Sequence, residues 1–350
     1  MTVGLVCYKK ELGSSIIYAK CLFALKNIYQ CKVVIFGNSL TKELFTYCDY
    51  IDDSIDMGNI EVQEQRSIQL ETINKYTCDY LIASTTTQEF IQFLMQSNAK
   101  KIICITKLYS LFSLRCKSMP LYFSKKYRNM RYEDIMLCLA RKIKPSVFDK
   151  HIKELDFSKC QIHVGMESRK IIDKFLKNSI SKMKCKDPTY VIMVNPFNVN
   201  NRFTIDITYW LKLIEEVARI PHCIALVVTY PQVKDNFMQE LAKSNISAQN
   251  LLILHNDNHI LNLVAITKRA SLVISPSTGT IHIASNVLIP TLGLYAEWDT
   301  GRWGTDYGLY IFLQKPLDNM NHNAQQDVVK KSITIVKEMI AQGKIKPAKL

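Results

Sequence analysis

Residues Ala270 to Tyr307 read ASLVISPSTGTIHIASNVLIPTLGLYAEWDTGRWGTDY, and the fold turns on this stretch. It opens with an apolar run of strand length, Leu272 to Ile274. A cluster of chain breakers follows, Ser275-Pro276-Ser277-Thr278-Gly279. Ile281, Ile283, Ala284 and Val287 then mark a helical segment, which Pro290 ends before a second apolar run, Thr291 to Leu294. Strand, tight polar turn, helix, strand points the first backbone N–H groups of a helix out of a sheet edge. Such a helix start is an anion site, suited above all to phosphate.

From Ala270 to Ala296 there is no Asp, Glu, Lys or Arg, a length that imitates a membrane span. Pro276, Gly279, Pro290 and the hydroxyl residues argue instead for two buried strands flanking a buried helix. The 350 residues are 48% hydrophobic and 22% charged, as in an ordinary soluble globular protein of about two domains. Lys9, Lys10 and Glu11 cut off the first apolar run, so no signal peptide is expected. The 11 cysteines include no C-x-x-C pair and sit mostly in apolar runs, as at Cys7, Cys104 and Cys223. Reduced, buried thiols in a cytoplasmic protein are the expectation.

The net charge of +14 is local. Between Lys100 and Lys186 there are 22 Lys plus Arg against 7 Asp plus Glu, which holds the whole excess. The run Lys125-Lys126-Tyr127-Arg128-Asn129-Met130-Arg131 lies within it. A surface of this kind attracts nucleic acid, acidic lipid headgroups or a phosphorylated glycolipid. A solvated face that only aids solubility is the alternative.

Strand-length apolar runs alternate with amphipathic segments, the pattern of parallel α/β sheets. Strands are expected at 3–7, 32–36, 80–83 and 101–105, then at 190–194, 224–229, 251–254, 272–274 and 291–294. Helices are expected at 15–29, 62–76 and 88–96, then at 168–184, 205–219, 232–243, 260–268, 280–286 and 325–342, with Gly343 as the final stop. The polar, basic stretch Lys144 to Pro188 separates two blocks. Domains are placed at 1–165 and 166–325, with a terminal helix and basic tail at 326–350.

The quoted stretch resembles the C-terminal signature of the ADP-heptose:lipopolysaccharide heptosyltransferases, roughly (S/D)-T-G-x-x-H-x-A, an apolar strand, then Y-G-x-x-D-x-x-R-W-G. Here it stands as Ser277-Thr278-Gly279-Thr280-Ile281-His282-Ile283-Ala284, then Tyr295-Ala296-Glu297-Trp298-Asp299-Thr300-Gly301-Arg302-Trp303-Gly304. The similarity covers about Asn195 to Tyr307, with a weaker match near the N-terminus. It implies the GT-B architecture, two Rossmann-like α/β domains whose parallel sheets face a cleft. It also implies an inverting glycosyltransferase that moves heptose from ADP-heptose to an acidic, lipid-linked inner-core acceptor.

Site residues follow from the need to hold a nucleotide sugar. Ser277, Thr278, Gly279 and Thr280 would hold the donor diphosphate through free N–H groups and hydroxyls. An ordinary Ser/Thr cap with nothing bound is the plainer reading. Asn198, in the loop Asn195-Pro196-Phe197-Asn198 at the end of a strand, offers a second contact, and Arg202 beyond Asn201 would neutralise the leaving diphosphate. A surface Arg is the alternative. Asp257 and Asn258 lie in the loop where the family reads its nucleoside. Asp299, Arg302 and His282 are candidates for the donor sugar, although Asp299 and Arg302 could form a loop ion pair and His282 could be a core group. Trp210 matches a core aromatic. Lys125, Lys126, Arg128 and Arg131 would meet the acidic acceptor.

Where relatives carry a catalytic Asp after Gly in the first strand–helix loop, this chain has Gly13-Ser14. A serine hydroxyl is no general base at neutral pH without its own activator. Glu11 on the same loop can substitute, the acceptor's phosphate can take the proton, or the chain is a divergent or inactive member. No Asp-x-Asp or metal-ligand spacing occurs, so no cofactor is called for and Mg is not indicated. No G-x-G-x-x-G or Walker sequence is present, which disfavours a dehydrogenase or NTPase. Two other readings stand. One is a same-fold transferase or epimerase for another nucleotide sugar. The other is a non-catalytic protein whose basic face binds anionic lipid or nucleic acid, the latter disfavoured by the lack of an RNP-like pattern. Attachment to the inner face of a membrane without an anchor is expected.

Overall fold

A computed structural model of the protein describes residues 1–9, 11–59, 62–85, 87–122, 124–181, 183, 190–198, 202–244, 246 and 249–348. Lys10, Asn201, and the side chains of Gln63, Lys126 and Arg128 lie outside the described residues. The chain divides into two compact units, Met1–His163 and Val164–Leu350.

The first unit is a six-stranded parallel sheet of β1 (Thr2–Val6), β2 (Lys32–Gly37), β3 (Asp53–Asp56), β4 (Tyr80–Ala83), β5 (Lys101–Ile105) and β6 (Cys116–Met119), in the order β3-β2-β1-β4-β5-β6. The second contains β7 (Tyr190–Val194), β8 (Cys223–Thr229), β9 (Leu251–His255), β10 (Leu272–Pro276), β11 (Thr291–Tyr295) and β12 (Gly308–Phe312), ordered β12-β11-β10-β7-β8-β9. Counted from the start of each unit, both sheets have the same 3-2-1-4-5-6 order. In each, the chain reverses its winding between the first and fourth strands, so a crevice opens there at the carboxyl edge. In the second unit that point falls between β7 and β10, which pair from Leu272↔Ile192 to Ile274↔Val194.

The central strands are fully buried, as Val191 to Val194 and Leu272 to Ile274 show, because helices cover both faces. The strands missed in sequence, β3, β6 and β12, all lie at sheet edges. An edge strand pairs on one side only and needs no continuous apolar run. β3 reads Asp-Ser-Ile-Asp and has no buried residue. The expected helix at 15–29 is two helices, Leu12–Ile16 and Ala19–Tyr29, with a tight turn at Ile17 and Tyr18. The stretch after Lys144 is more ordered than a polar connector: Pro145–His151 is helical and buries Phe148. The backbone carbonyl of Cys160 accepts a 3.1 Å hydrogen bond from the Tyr50 hydroxyl. The final helix, His322–Ala341, packs on Ile207–Ala218 and ends at Gly343, whose φ of 63° only glycine adopts freely.

Candidate functional site

The decisive turn lies at the winding reversal of the second sheet. β10 runs to Pro276, Thr278 is extended, and the helix Gly279–Asn286 begins at Gly279. The helix forms because Ile281, Ile283 and Ala284 go into the core. It ends in a pair of reversed bonds, Leu288 N–H to Ser285 O and Ile289 N–H to Ala284 O. Leu288 takes the left-handed position usually given to glycine, at φ 63°. No side chain caps the N-terminus at Thr278. The Thr278 hydroxyl is instead drawn back toward the sheet, 2.9 Å from Ser275 Oγ.

Asn195, the first residue after β7, ties this turn to the neighbouring strand. Its Nδ2 donates to Ser275 Oγ at 3.0 Å and Thr278 Oγ1 at 3.1 Å, and its backbone N–H donates to Ile274 O at 2.8 Å. The first turn of the helix is thus held by side chains from behind while its leading N–H groups remain uncapped by any side chain. That is the geometry an anion-binding turn requires. Asn195→Ala removes both of these side-chain bonds and is expected to weaken binding of a phosphate-bearing ligand at this turn about tenfold at nearly constant secondary structure, measurable by calorimetric titration with a nucleoside diphosphate.

Ser277 lies near Tyr295 and Asp299; burial raises the pKa of both, and the Ser277 hydroxyl offsets part of that rise. Gly293 makes room for this cluster. A Cβ there would come within 2.6 Å of the Tyr295 ring, which packs edge-on at 5.1 Å against Tyr310. The Tyr295 hydroxyl in turn donates to Trp303 O at 3.2 Å. Asp299 sits in the first turn of the helix Glu297–Trp303, where the dipole favours a negative charge, and Arg302 lies in its last turn. His282 is buried, its ring against Trp303 at 5.8 Å, and burial lowers its pKa to about 4, so it is neutral.

Other sequence candidates are more dispersed. Arg202 makes an exposed ion pair with Asp318 at 2.6 Å. Asn198 is half-buried at the end of its loop. Asp257 and Asn258 are exposed, Asn258 at a left-handed φ of 62°, while their neighbour Asn256 is buried with Oδ1 unpartnered. Asn262 Oδ1, on the following helix Ile260–Thr267, is likewise buried and unpartnered. Such acceptors call for a donor from a ligand or water. Among the described residues no group of three or more His, Cys, Asp or Glu could hold a metal.

In the first unit, Glu11 is the exposed residue preceding the helix Leu12–Ile16, and Ser14 is buried in that helix. Ser15 Oγ meets Thr41 Oγ1 at 3.0 Å. Ser84, after β4, accepts from the Tyr8 N–H at 3.0 Å. Lys125 is exposed, and Arg131 pairs with Asp134 at 3.2 Å. Lys126 and Arg128, assigned to the acceptor, have side chains outside the described residues.

Sequence reasoning passed over Ser275 and Tyr295. Ser275 reads as part of a breaker cluster, and Tyr295 only as the first residue of the Tyr295–Gly304 match, with no role of its own. The available signal was the Ser-x-x-Thr spacing, which brings two hydroxyls together across a turn.

The ten described cysteines are unpaired, and eight are buried. Burial pushes the Cys31 and Cys78 thiols up to about 11 and Cys104 to about 12, as expected for inert core thiols. No described helix is long and apolar enough to cross a membrane.

The fold matches known structures along nearly its whole length. A glycosyl transferase family 9 structure from Veillonella parvula DSM 2008 superposes with a TM-score of 0.77 at 12% identity, covering 96% of this chain and 97% of that one. The E. coli ADP-heptose lps heptosyltransferase II gives 0.73 at 11% identity, covering 98% and 100%. The E. coli heptosyltransferase WaaC with ADP gives 0.64 at 15% identity, covering 95% and 99%. No curated protein sequence matches the chain. Residues 138–334, more than half of the chain, match the model of glycosyltransferase family 9 (heptosyltransferase), and the chain belongs to that family.

Proposed function

We propose that this glycosyltransferase moves heptose from ADP-heptose, with inversion, to an acidic, lipid-linked acceptor at the inner face of a membrane. The observation that carries the reading is the turn Ser277-Thr278-Gly279, braced by Asn195 at the β7–β10 reversal. The diphosphate fits at the start of Gly279–Asn286, where uncapped N–H groups and the helix dipole favour negative charge. Asp299, beside Ser277, accepts hydrogen bonds from the donor sugar. The buried Asn256 and Asn262 oxygens lack donors, which an exocyclic amine of a purine can supply. That a similar E. coli fold was solved with ADP supports an adenine nucleotide. Arg202 can leave its exposed pair with Asp318 at small cost, because such pairs contribute little.

On the first unit, Glu11 takes the proton from the acceptor hydroxyl in place of Ser14. Its backbone starts a helix while its carboxylate makes no capping bond. Glu11→Gln tests this assignment: turnover falls, whereas unchanged turnover would remove Glu11 from the mechanism. The donor is tested by incubating the protein with a panel of nucleotide sugars. Breakdown of ADP-heptose alone supports the reading, and preference for another nucleotide sugar would replace it with a same-fold transferase or epimerase. Mass spectrometry of glycolipid from cells with and without the protein identifies the product.

A further inference from the structure

We propose that the segment Leu108–Leu114 is a preformed wedge that seats the first unit in an anionic lipid bilayer. It leaves β5 at the carboxyl edge that also carries the Glu11 loop and runs back to the start of β6, where Leu114 O meets Lys101 Nζ. Leu108, Leu111, Phe112 and Leu114 are 69%, 60%, 84% and 94% exposed. Leu108, Leu111 and Phe112 stand at i, i+3 and i+4 of one short helical turn, the spacing of a shared face, and Leu114 follows two residues on.

The backbone beneath them is tied to the fold by hydrogen bonds. Ser110 is buried, accepting from the Lys107 N–H at 2.9 Å and donating to Lys107 O at 2.7 Å. The Arg115 guanidinium donates to three carbonyls, Met95, Ser97 and Ala99, at 2.8, 2.8 and 2.5 Å. Lys101 Nζ holds Leu114 O at 2.9 Å. The loop spends its polar groups on the fold and turns its apolar ones outward.

The surrounding charge indicates the occupant. From Lys100 to Tyr132 there are nine Lys and Arg and no Asp or Glu. Lys107 lies 4.8 Å over the Tyr122 ring beside the wedge, and Lys125 is exposed further along. Lys100 pairs with Asp79 and Arg131 with Asp134, and the stretch stays basic; exposed apolar side chains within it, with Lys107 and the Tyr122 ring beside them, match the depth profile of an anionic bilayer: headgroup phosphates outside, acyl chains beneath. This deepens the proposed function, because a lipid-linked acceptor reaches its enzyme through the bilayer plane.

The test uses the full chain and sedimentation with phosphatidylcholine vesicles, with and without phosphatidylglycerol. The wild type is expected to bind the anionic vesicles, and Leu111→Ser, Phe112→Ser and Leu114→Ser combined are expected to weaken binding about tenfold or more. Thermal unfolding and breakdown of soluble donor should be unchanged. Phe112→Trp should gain emission that brominated lipid quenches. Equal vesicle binding by the triple variant, or no binding by the wild type, would overturn the wedge. So would a concentration-dependent dimer lost in the triple variant without vesicle affinity, which would assign the patch to a second copy. Vesicle binding without breakdown of any nucleotide sugar would instead sink the transferase reading and leave the wedge standing.

Discussion

Asp299→Asn is expected to raise the melting temperature while lowering kcat/KM for the donor about a hundredfold. The Asp299 carboxyl is buried and its pKa is raised, so at neutral pH the folded state carries a desolvated negative charge at a cost to stability. The Ser277 hydroxyl and the first-turn dipole of Glu297–Trp303 offset that cost only in part. Asparagine keeps the shape and removes the charge, so the cost disappears. A carboxylate kept in such a place is characteristic of a working site. If Asp299 served only as a structural partner, the substitution would lower the melting temperature and leave donor kinetics alone. Thermal melts and donor titrations on the same preparation separate the two.

Stability is also expected to fall by about 2 to 3 kcal/mol between about pH 7 and about pH 4.5 through His282 alone. The buried ring has its pKa lowered from 6.5 to about 4. The unfolded chain therefore takes up a proton near pH 6.5, whereas the folded chain resists it until about pH 4. Between those values the unfolded state binds more protons, so the contribution is complete above the unfolded pKa and lost as pH falls toward the folded one. Asp52, Asp79, Asp149 and Asp156, all lowered, lose stability further into acid, and Asp299, raised, works in the opposite direction. These terms are common to wild type and His282→Leu. Urea unfolding of both across the range should show the wild type losing the extra amount, and parallel curves would refute it.

Much of the fold is legible in the residues. Val191 to Val194 and Leu272 to Ile274 are continuous apolar runs because central parallel strands are covered on both faces. The edge strands Asp53–Asp56, Cys116–Met119 and Gly308–Phe312 are not legible. Each pairs on one side only, with the strand just before it in sequence, and such one-sided pairing leaves no apolar pattern of its own. The break between Leu12–Ile16 and Ala19–Tyr29 is equally hidden, because no proline or glycine marks it.

The candidate site divides along the same line. Ser277, Thr278 and Gly279 are readable as a helix start because a breaker cluster between a strand and an apolar-periodic segment has few other uses. Asn195 as the brace of that turn lies 80 residues from Ser275 and emerges only when β7 and β10 pair. The nearness of Ser277 to Asp299 and Tyr295, the neutral His282 and the exposed Phe112 are likewise products of packing. The sequence by itself determined the alternation of strands and helices, the position of the strand-to-helix turn at Ser277–Gly279 and the basic stretch, since periodicity, chain breakers and charge are local properties. Tertiary structure alone decided which side chains meet at that turn, which are desolvated and which apolar groups stay outside, because burial and hydrogen-bond partners depend on residues far apart in the chain.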